Sequence, residues 1–439
     1  MTLEEALARI GELESQLKVA LDRIAELERE KARQAGPFRR REQLKVPPTE
    51  KKPPGRKPGH RGAYRQRPDQ IDETDIVPLD KCPHCKGAVE VRQWHTQFIE
   101  EIIPVRPHVR RIVTFTGRCG KCGIVQSTHP EQTSRAQGVA GVTLGRRAQA
   151  LSILLNKYLG IPLRKTCQIL KQGFGLSLTS GGLSQLVQRA ACKVKGQYEQ
   201  LIEQLRSSDV VYADETSWYV GGPGHWLWVF TTPTSTVYRV ASSRGHPVAA
   251  KVLGSDFPGV LVSDCAQIYD KFPGPQHKCI FHHLQAIERN RGLPGMQNPR
   301  YLDAWERLWK GVMELTEQRA ALAPAEFAAH TARFEAEADV LIAEEPMQLG
   351  DRKFRTRMKN ARKHLFGCLH YPVDPTNNRA ERAIRPAVVA RKISCGNKTQ
   401  RGANAYEILL SIITTAHQQT RDFLTDLAQS LTLRPAIAG

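Results

Sequence analysis

Asp209-Val-Val-Tyr-Ala-Asp-Glu-Thr-Ser-Trp218 decides how the rest of the chain is read. Val210, Val211, Tyr212 and Ala213 have the continuous apolar character of a buried strand, and Asp214 and Glu215 arrive together at its end. Gly259-Val-Leu-Val-Ser-Asp264 repeats the design. Two apolar strands that each deliver a carboxylate at the C-terminal end suggest a metal site built on a sheet. Side chains alternate along a strand, so Glu215 faces away from the side that Asp214 faces and is a poor ligand. His225-Trp-Leu-Trp-Val-Phe-Thr231 and Ser235-Thr-Val-Tyr-Arg-Val240 read as further antiparallel strands, and a helix is expected near Pro247–Leu253. The fold class is multidomain α/β.

The third acid comes from further along. From His282 to about Phe366 the sequence turns helical, with Trp305 and Trp309 for packing, and ends in the basic run Arg352 to Lys363. It reads as a helical insertion with either a DNA-facing edge or a merely solvated one. In Asp374-Pro-Thr-Asn-Asn-Arg-Ala-Glu-Arg-Ala-Ile-Arg-Pro386 a turn at Asn377-Asn378 precedes a helix that presents Glu381, with Arg382, Arg385, Arg391 and Lys392 around it. A further helix spans Ala403 to about Gln418. Magnesium wants oxygen ligands, and two such ions acting on a phosphodiester need about three carboxylates from separate elements. Asp214, Asp264 and Glu381 are that trio. Cys279, His282 and His283 hint at a second metal site, but the sequence offers no fourth partner nearby, so a structural or DNA-contacting role is expected.

Composition agrees with a polyanion partner. The 439 residues carry 64 Lys+Arg against 44 Asp+Glu, a formal charge of +20, which favours nucleic acid through counterion release. No apolar run approaches a membrane span, and Met1-Thr-Leu-Glu-Glu5 lacks the form of a signal peptide, so a cytoplasmic protein is expected.

Ahead of the core the chain divides into modules. Residues 1–34 space Leu3, Ala6, Ile10, Leu13, Leu17, Ala20, Ile24 and Leu27 as a heptad, reading as a coiled coil and hence self-association, or as an amphipathic helix packed on its own protein. Residues 35–75 form a basic, Pro-rich linker. Its Gly55-Arg56-Lys57-Pro58-Gly59 fits a minor-groove hook using Arg56 and Lys57, or a plain charged linker. Over 76–130, Cys82-Pro-His-Cys85 and Cys119-Gly-Lys-Cys122 frame the alternating runs 97–105 and 109–116. Four thiolates from two such turns suit one structural zinc ion in a ribbon, whereas redox chemistry normally uses a single C-x-x-C. Residues 138–200 are helical. Pro162 opens a helix ending near Lys171, Gly173-Phe-Gly175 turns, and Thr179 or Ser180 caps the next. This matches a helix-turn-helix, with Ser184, Gln185, Gln188 and Arg189 facing the major groove, or an ordinary helical hairpin.

The words around the acids resemble the transposases of the insertion-sequence-66 family, bacterial DDE-type enzymes. The resemblance rests on Ala213-Asp-Glu-Thr216 with Trp226 and Trp228, on Val262-Ser-Asp264, on the Cys279/His282 segment and above all on Asn377 to Pro386 with Arg391-Lys392. It extends to the order of parts, over nearly the whole chain. It implies an RNase H-like catalytic core, split into 207–285 and 371–430 by a helical insertion over 286–370. It implies Mg²⁺- or Mn²⁺-dependent cleavage at transposon ends, with water as nucleophile, then joining of the 3′-hydroxyl ends to target DNA, with Asp214, Asp264 and Glu381 as the metal-holding acids. Double-stranded DNA (transposon ends and target), a homo-oligomer of at least two chains, and accessory transposition proteins are the implied partners, near the bacterial nucleoid. Cys265-Ala-Gln-Ile-Tyr269 departs from the Gly-Tyr form after the second Asp, and Ile393 to Thr399 replaces an aromatic, Gly-Ser-rich stretch. The alternative is a catalytically inactive or domesticated DNA-binding descendant, which has no physical need of all three acids.

Overall fold

The computed structural model describes residues 67–103, 105–132, 142–293 and 296–431. The helix expected over 1–34 and the Arg56–Lys57 hook lie outside them. The chain divides into two compact units, Met1–Ile103 and Pro104–Gly439.

In the first unit the described feature is a knuckle. The Cys82 N–H donates to the Gly87 carbonyl and the Lys86 N–H to the Cys82 carbonyl, both at 2.9 Å. Lys86 takes the left-handed conformation at φ 62°, which closes the turn. The second unit opens with a hairpin of β1 (Thr116–Cys119) and β2 (Gly123–Gln126), whose turn carries Cys122. The strands expected over 97–105 and 109–116 do not form among the described residues, apart from Thr116 at the start of β1. Alternation marks a segment that can be a strand, but a ladder also needs a hydrogen-bonding neighbour, and here pairing begins only beside the tight turn.

A helical layer follows: α1 (Arg146–Ile153) running into a π-turn at Leu154–Tyr158, α2 (Leu163–Phe174), α3 (Ser180–Lys193) and α4 (Lys195–Arg206). Gly175 ends α2 at φ 66°, a conformation that suits glycine, and the Thr179 hydroxyl accepts the Gly182 N–H at 3.0 Å to start α3. Gly173 lies inside α2 rather than in the turn. Leu183, Leu186, Val187 and Ala190 are buried, as their spacing implies.

The centre is a five-stranded sheet: β3 (Val210–Trp218), β4 (His225–Thr231), β5 (Thr236–Ala241), β6 (Val260–Ser263) and β7 (Gln276–Lys278), in the order β5-β4-β3-β6-β7. The first three form an antiparallel meander, and β6 and β7 add in parallel on the other side of β3. Helix α5 (His246–Leu253) makes the crossover. β7 was not expected, since Gln276-His-Lys278 carries no strand pattern.

Alternation sorts the sheet into two covered faces. Tyr212, Leu227, Val229, Tyr238, Val240, Val260 and Val262 share one core with the helices after β7. Val211, Ala213, Trp228, Phe230, Val237 and Leu261 share the other with α3, α4 and α5. After β7 come α6 (Ile280–Arg291), α7 (Arg300–Glu317), α8 (Pro324–Ala343), α9 (Leu349–Ala361) and the short α10 (Gly367–His370). Trp305, Trp309, Phe354 and Met358 are buried among them and continuous with the first core.

The chain then returns through α11 (Asn378–Ser394), α12 (Gln400–Gln418) and α13 (Phe423–Ser430). Helix α12 closes the β5 edge of the sheet. Glu407, Ser411 and Thr415, spaced by one helical turn, accept the N–H groups of Val240, Tyr238 and Thr236 at 2.7, 2.8 and 3.0 Å. Alternate N–H groups of an edge strand meet acceptors four residues apart on a helix, so no open edge is left there. Among the described residues no helix is long and apolar enough to cross a membrane.

Candidate active site

The sheet register sets the site. Ala213 pairs with Ser263 across β3 and β6, and Ser263 with Lys278 across β6 and β7. The next residues on these parallel strands are Asp214, Asp264 and Cys279. They therefore stand side by side at three adjacent C-terminal ends, about 4.8 Å apart from strand to strand. All three take the parity of Tyr212 and Val262, toward the core shared with α11 and the insertion.

The Asn377 turn fixes α11 over this edge. Asn377 is fully buried, and its Nδ2 donates to the Ala213 carbonyl at 2.8 Å, one residue before Asp214. Its N–H donates to the Cys279 Sγ at 3.2 Å, and the Ile280 N–H donates to the Pro375 carbonyl at 3.0 Å. The turn thus holds β3 and the β7–α6 junction together, and Glu381 follows one helical turn later on a short tether. At the far end of α11, Arg391 donates to the Thr216 hydroxyl at 2.8 Å and to the Ser217 hydroxyl at 2.7 Å. The sequence marks Asn377 as a turn residue at the head of the block that most carries the family resemblance; its burial comes from contacts with a strand 164 positions away.

The electrostatics are those of crowded acids. Asp214 accepts the Glu215 N–H at 2.8 Å and Asp264 accepts the Ala266 N–H at 2.9 Å. Among the described residues neither is in an ion pair. Burial first, then the charges of Glu215 and Asp264 and lastly that of Glu381, push the Asp214 carboxyl up to about 8. Glu215 is on the other face, as alternation requires, and has its own partners. Tyr269 donates to it at 2.6 Å and Arg244 pairs with it at 2.8 Å while stacking on Trp226. Burial still raises the Glu215 carboxyl, with Asp264 adding to the effect. Arg244 had no signal in the sequence beyond being an arginine near the acids, whereas Tyr269 is what remains of the Gly-Tyr form expected after the second Asp.

Glu381 lies on the β7 side of the site. Its carboxylate, the Cys279 thiol and the His282 imidazole lie within 4.8 Å of one another. The third partner that the sequence did not offer to Cys279 and His282 is therefore Glu381. His283 is separate: it is fully buried, stacked on Trp309 at 5.1 Å, with burial holding its imidazole well below the usual range.

Asp214 and Asp264, both half-buried at adjacent strand ends and without a cationic partner among the described residues, are a carboxylate pair of the kind that hard divalent cations take. Glu381 adds its charge to Asp214, but the group it closes with within 4.8 Å is Cys279 and His282, not the two aspartates. Other expected contacts distribute as follows. Arg382, Arg385 and Lys392 are exposed on α11, whereas Arg391 is half-buried against β3. Gln185 and Arg189 are exposed on α3, and Ser184 and Gln188 are half-buried. In the basic run, Arg355 donates to the Ile342 carbonyl and Arg362 pairs with Asp339, which leaves Arg352, Lys353, Lys359 and Lys363 more free to meet solvent. In each C-x-x-C turn the first thiol receives the N–H groups two and three residues on: His84 and Cys85 for Cys82, Lys121 and Cys122 for Cys119. These donors hold both thiols below the usual cysteine range, with the i+3 group the larger cause.

Comparison with known proteins gives a family match. The model described as Transposase IS66 family matches residues 142–405, a span that contains all three acids. Uncharacterized protein y4jD of Sinorhizobium fredii is 27% identical over 218 residues, which cover 45% of this chain and 41% of that protein. Uncharacterized protein y4qI of the same organism is 23% identical over 410 residues, 84% of this chain and 73% of that protein. The chain thus spans less than half the length of the first of these relatives.

Proposed function

The chain belongs to the IS66 family of transposases, and from that premise we propose that it cuts and joins DNA at the ends of a transposable element. In this reading the chain binds the terminal repeats, exposes the 3′-hydroxyl ends and transfers them to target DNA. The strand order β5-β4-β3-β6-β7, an antiparallel meander followed by two parallel strands, supports an RNase H-like core. One observation carries the proposal: the register of β3 and β6 sets Asp214 beside Asp264 at adjacent strand ends, and no cationic side chain among the described residues pairs with either, in keeping with the upward push on the Asp214 carboxyl.

Asp214, Asp264 and Glu381 would hold Mg²⁺ or Mn²⁺, which when bound supplies activation of the attacking oxygen and neutralisation of charge on the phosphodiester. The chain's own residues provide the frame. Asn377 ties the Glu381 helix to the strand that carries Asp214. Arg244 and Tyr269 hold Glu215 on the opposite face, away from the reacting edge. Exposed Arg382, Arg385 and Lys392 on α11, with Gln185 and Arg189 on α3, would meet DNA. Cys82, Cys85, Cys119 and Cys122 would share a structural zinc ion, and the N-terminal heptads would join two chains.

The test is end cleavage with each acid neutralised. Asp214→Asn, Asp264→Asn and Glu381→Gln are each expected to abolish Mg²⁺-dependent cleavage of a terminal-repeat duplex while end binding stays near wild type. Full cleavage by Glu381→Gln would remove the third acid from the site.

A further inference from the structure

The edge of the sheet holds a second donor set of different chemistry. Cys279 closes β7 and starts α6, and its Sγ is fully buried. That sulfur accepts the N–H groups of Asn377, His282 and Phe281, of which the last two lie three and two residues on. Cys82 and Cys119 receive N–H groups from the same two positions, in the turns whose spacing suits zinc. Cys279-Ile-Phe-His282 is thus a C-x-x-H turn with the amide-to-sulfur pattern of the two C-x-x-C turns. The imidazole of His282 is turned into the same space: its Nδ1 is buried without a hydrogen-bond partner among the described residues and lies 4.0 Å from the Glu381 Oε1. A buried ring nitrogen left unpaired is costly unless something occupies it.

We propose that Cys279, His282 and Glu381 form a binding site for a zinc-class divalent cation, set beside the two aspartates and sharing Glu381 with them. One thiolate, one imidazole and one carboxylate are the ligand types of a borderline-soft ion, not of magnesium. Bonds of about 2.0–2.3 Å space tetrahedral ligands about 3.5 Å apart, so the three side chains close by about 1 Å from their separations of up to 4.8 Å. Three protein ligands leave the fourth position to water. Because Glu381 is shared, a cation held here draws that carboxylate toward β7 and away from Asp214. This last consequence, unlike the binding itself, rests on the transposase reading above.

The binding is tested by metal content of the full-length protein. Wild type, Cys279→Ala, His282→Gln, Glu381→Gln and Asp214→Asn are loaded with Zn²⁺, freed of loosely held ion, and analysed for zinc per chain by atomic emission. The first three variants are expected to hold one ion fewer than wild type, and Asp214→Asn the same number. Any zinc at the other cysteines is common to all five and cancels. With Co²⁺ as probe, the wild-type-minus-His282→Gln spectrum should show tetrahedral bands and a sulfur-to-metal transition. Equal zinc content in wild type and His282→Gln, whose half-exposed ring is replaced without disturbing the core, overturns the proposal. So does loss of the ion from Asp214→Asn, which would assign it to the aspartates. The zinc count is independent of DNA cleavage, so failure of the transposase reading leaves this result standing. In the cleavage assay, added Zn²⁺ should inhibit wild type in the presence of Mg²⁺ by tenfold or more at saturation; absence of inhibition despite a confirmed ion overturns the competition for Glu381.

Discussion

Asp214→Asn should make the metal-free protein more stable at neutral and alkaline pH, although it removes an acid at the centre of the proposed site. The reason is the position of that acid. Burial, Glu215, Asp264 and Glu381 raise its carboxyl from 3.8 to about 8. A folded-state value above the unfolded one means that the native protein holds a proton which the unfolded chain has released. Stability therefore falls as pH rises from about 4 to about 8, and the loss is complete above the folded value. A gap of about four pH units corresponds to a ceiling of roughly 5–6 kcal/mol at about 1.36 kcal/mol per unit. Neighbouring acids share the repulsion, so replacing one relieves part of it, and a gain of roughly 2–4 kcal/mol at pH 8 is expected, with little change at pH 4. Urea unfolding of both proteins at pH 4, 6 and 8, with and without millimolar Mg²⁺, reads the effect. Wild type should lose stability across this range more steeply than Asp214→Asn, and Mg²⁺ should restore more of it to wild type. Parallel pH profiles in the absence of metal would refute the claim that Asp214 is a buried acid in want of a cation.

Three further outcomes follow from particular contacts. Asn377→Ala deletes the donor to the Ala213 carbonyl and leaves that group unpaired, which should cost about 1–3 kcal/mol in chemical denaturation and slow cleavage more than it weakens DNA binding. Trp309→Ala removes a buried ring stacked between His283 and Trp305 and should destabilise by about 3–5 kcal/mol, measured the same way. Arg382→Ala and Arg385→Ala, both on the exposed side of α11, should each reduce the steepness of the log–log salt dependence of DNA binding by about one if they touch phosphates. Unchanged slopes would place the DNA path elsewhere.

The sequence by itself determined the strands and their acids. Val210–Trp218, His225–Thr231, Thr236–Ala241 and Val260–Ser263 form where apolar runs and alternation put them, because a strand buried on both faces must be apolar along its length. Alternation also separated Asp214 from Glu215, a purely local consequence of the pleat. The start of α3 at Thr179 or Ser180 was legible for the same reason, since a cap is a contact between near neighbours, whereas α2 runs three residues past the expected end near Lys171 and stops only at Gly175. Tertiary structure decided what local pattern does not encode. Strand β7 exists because β6 offers its free edge to Gln276-His-Lys278, three residues with no strand signature. Runs 97–105 and 109–116, which had the signature, gained almost no ladder. The Asn377 turn is a hinge pin rather than a simple bend because β3 lies beneath it. Above all, the register that aligns Asp214, Asp264 and Cys279, and the packing that swings α11 across them, bring Glu381 to Cys279 and His282. Those residues are about 100 positions apart, and only a folded sheet, by fixing which strand ends are neighbours, can make them one site.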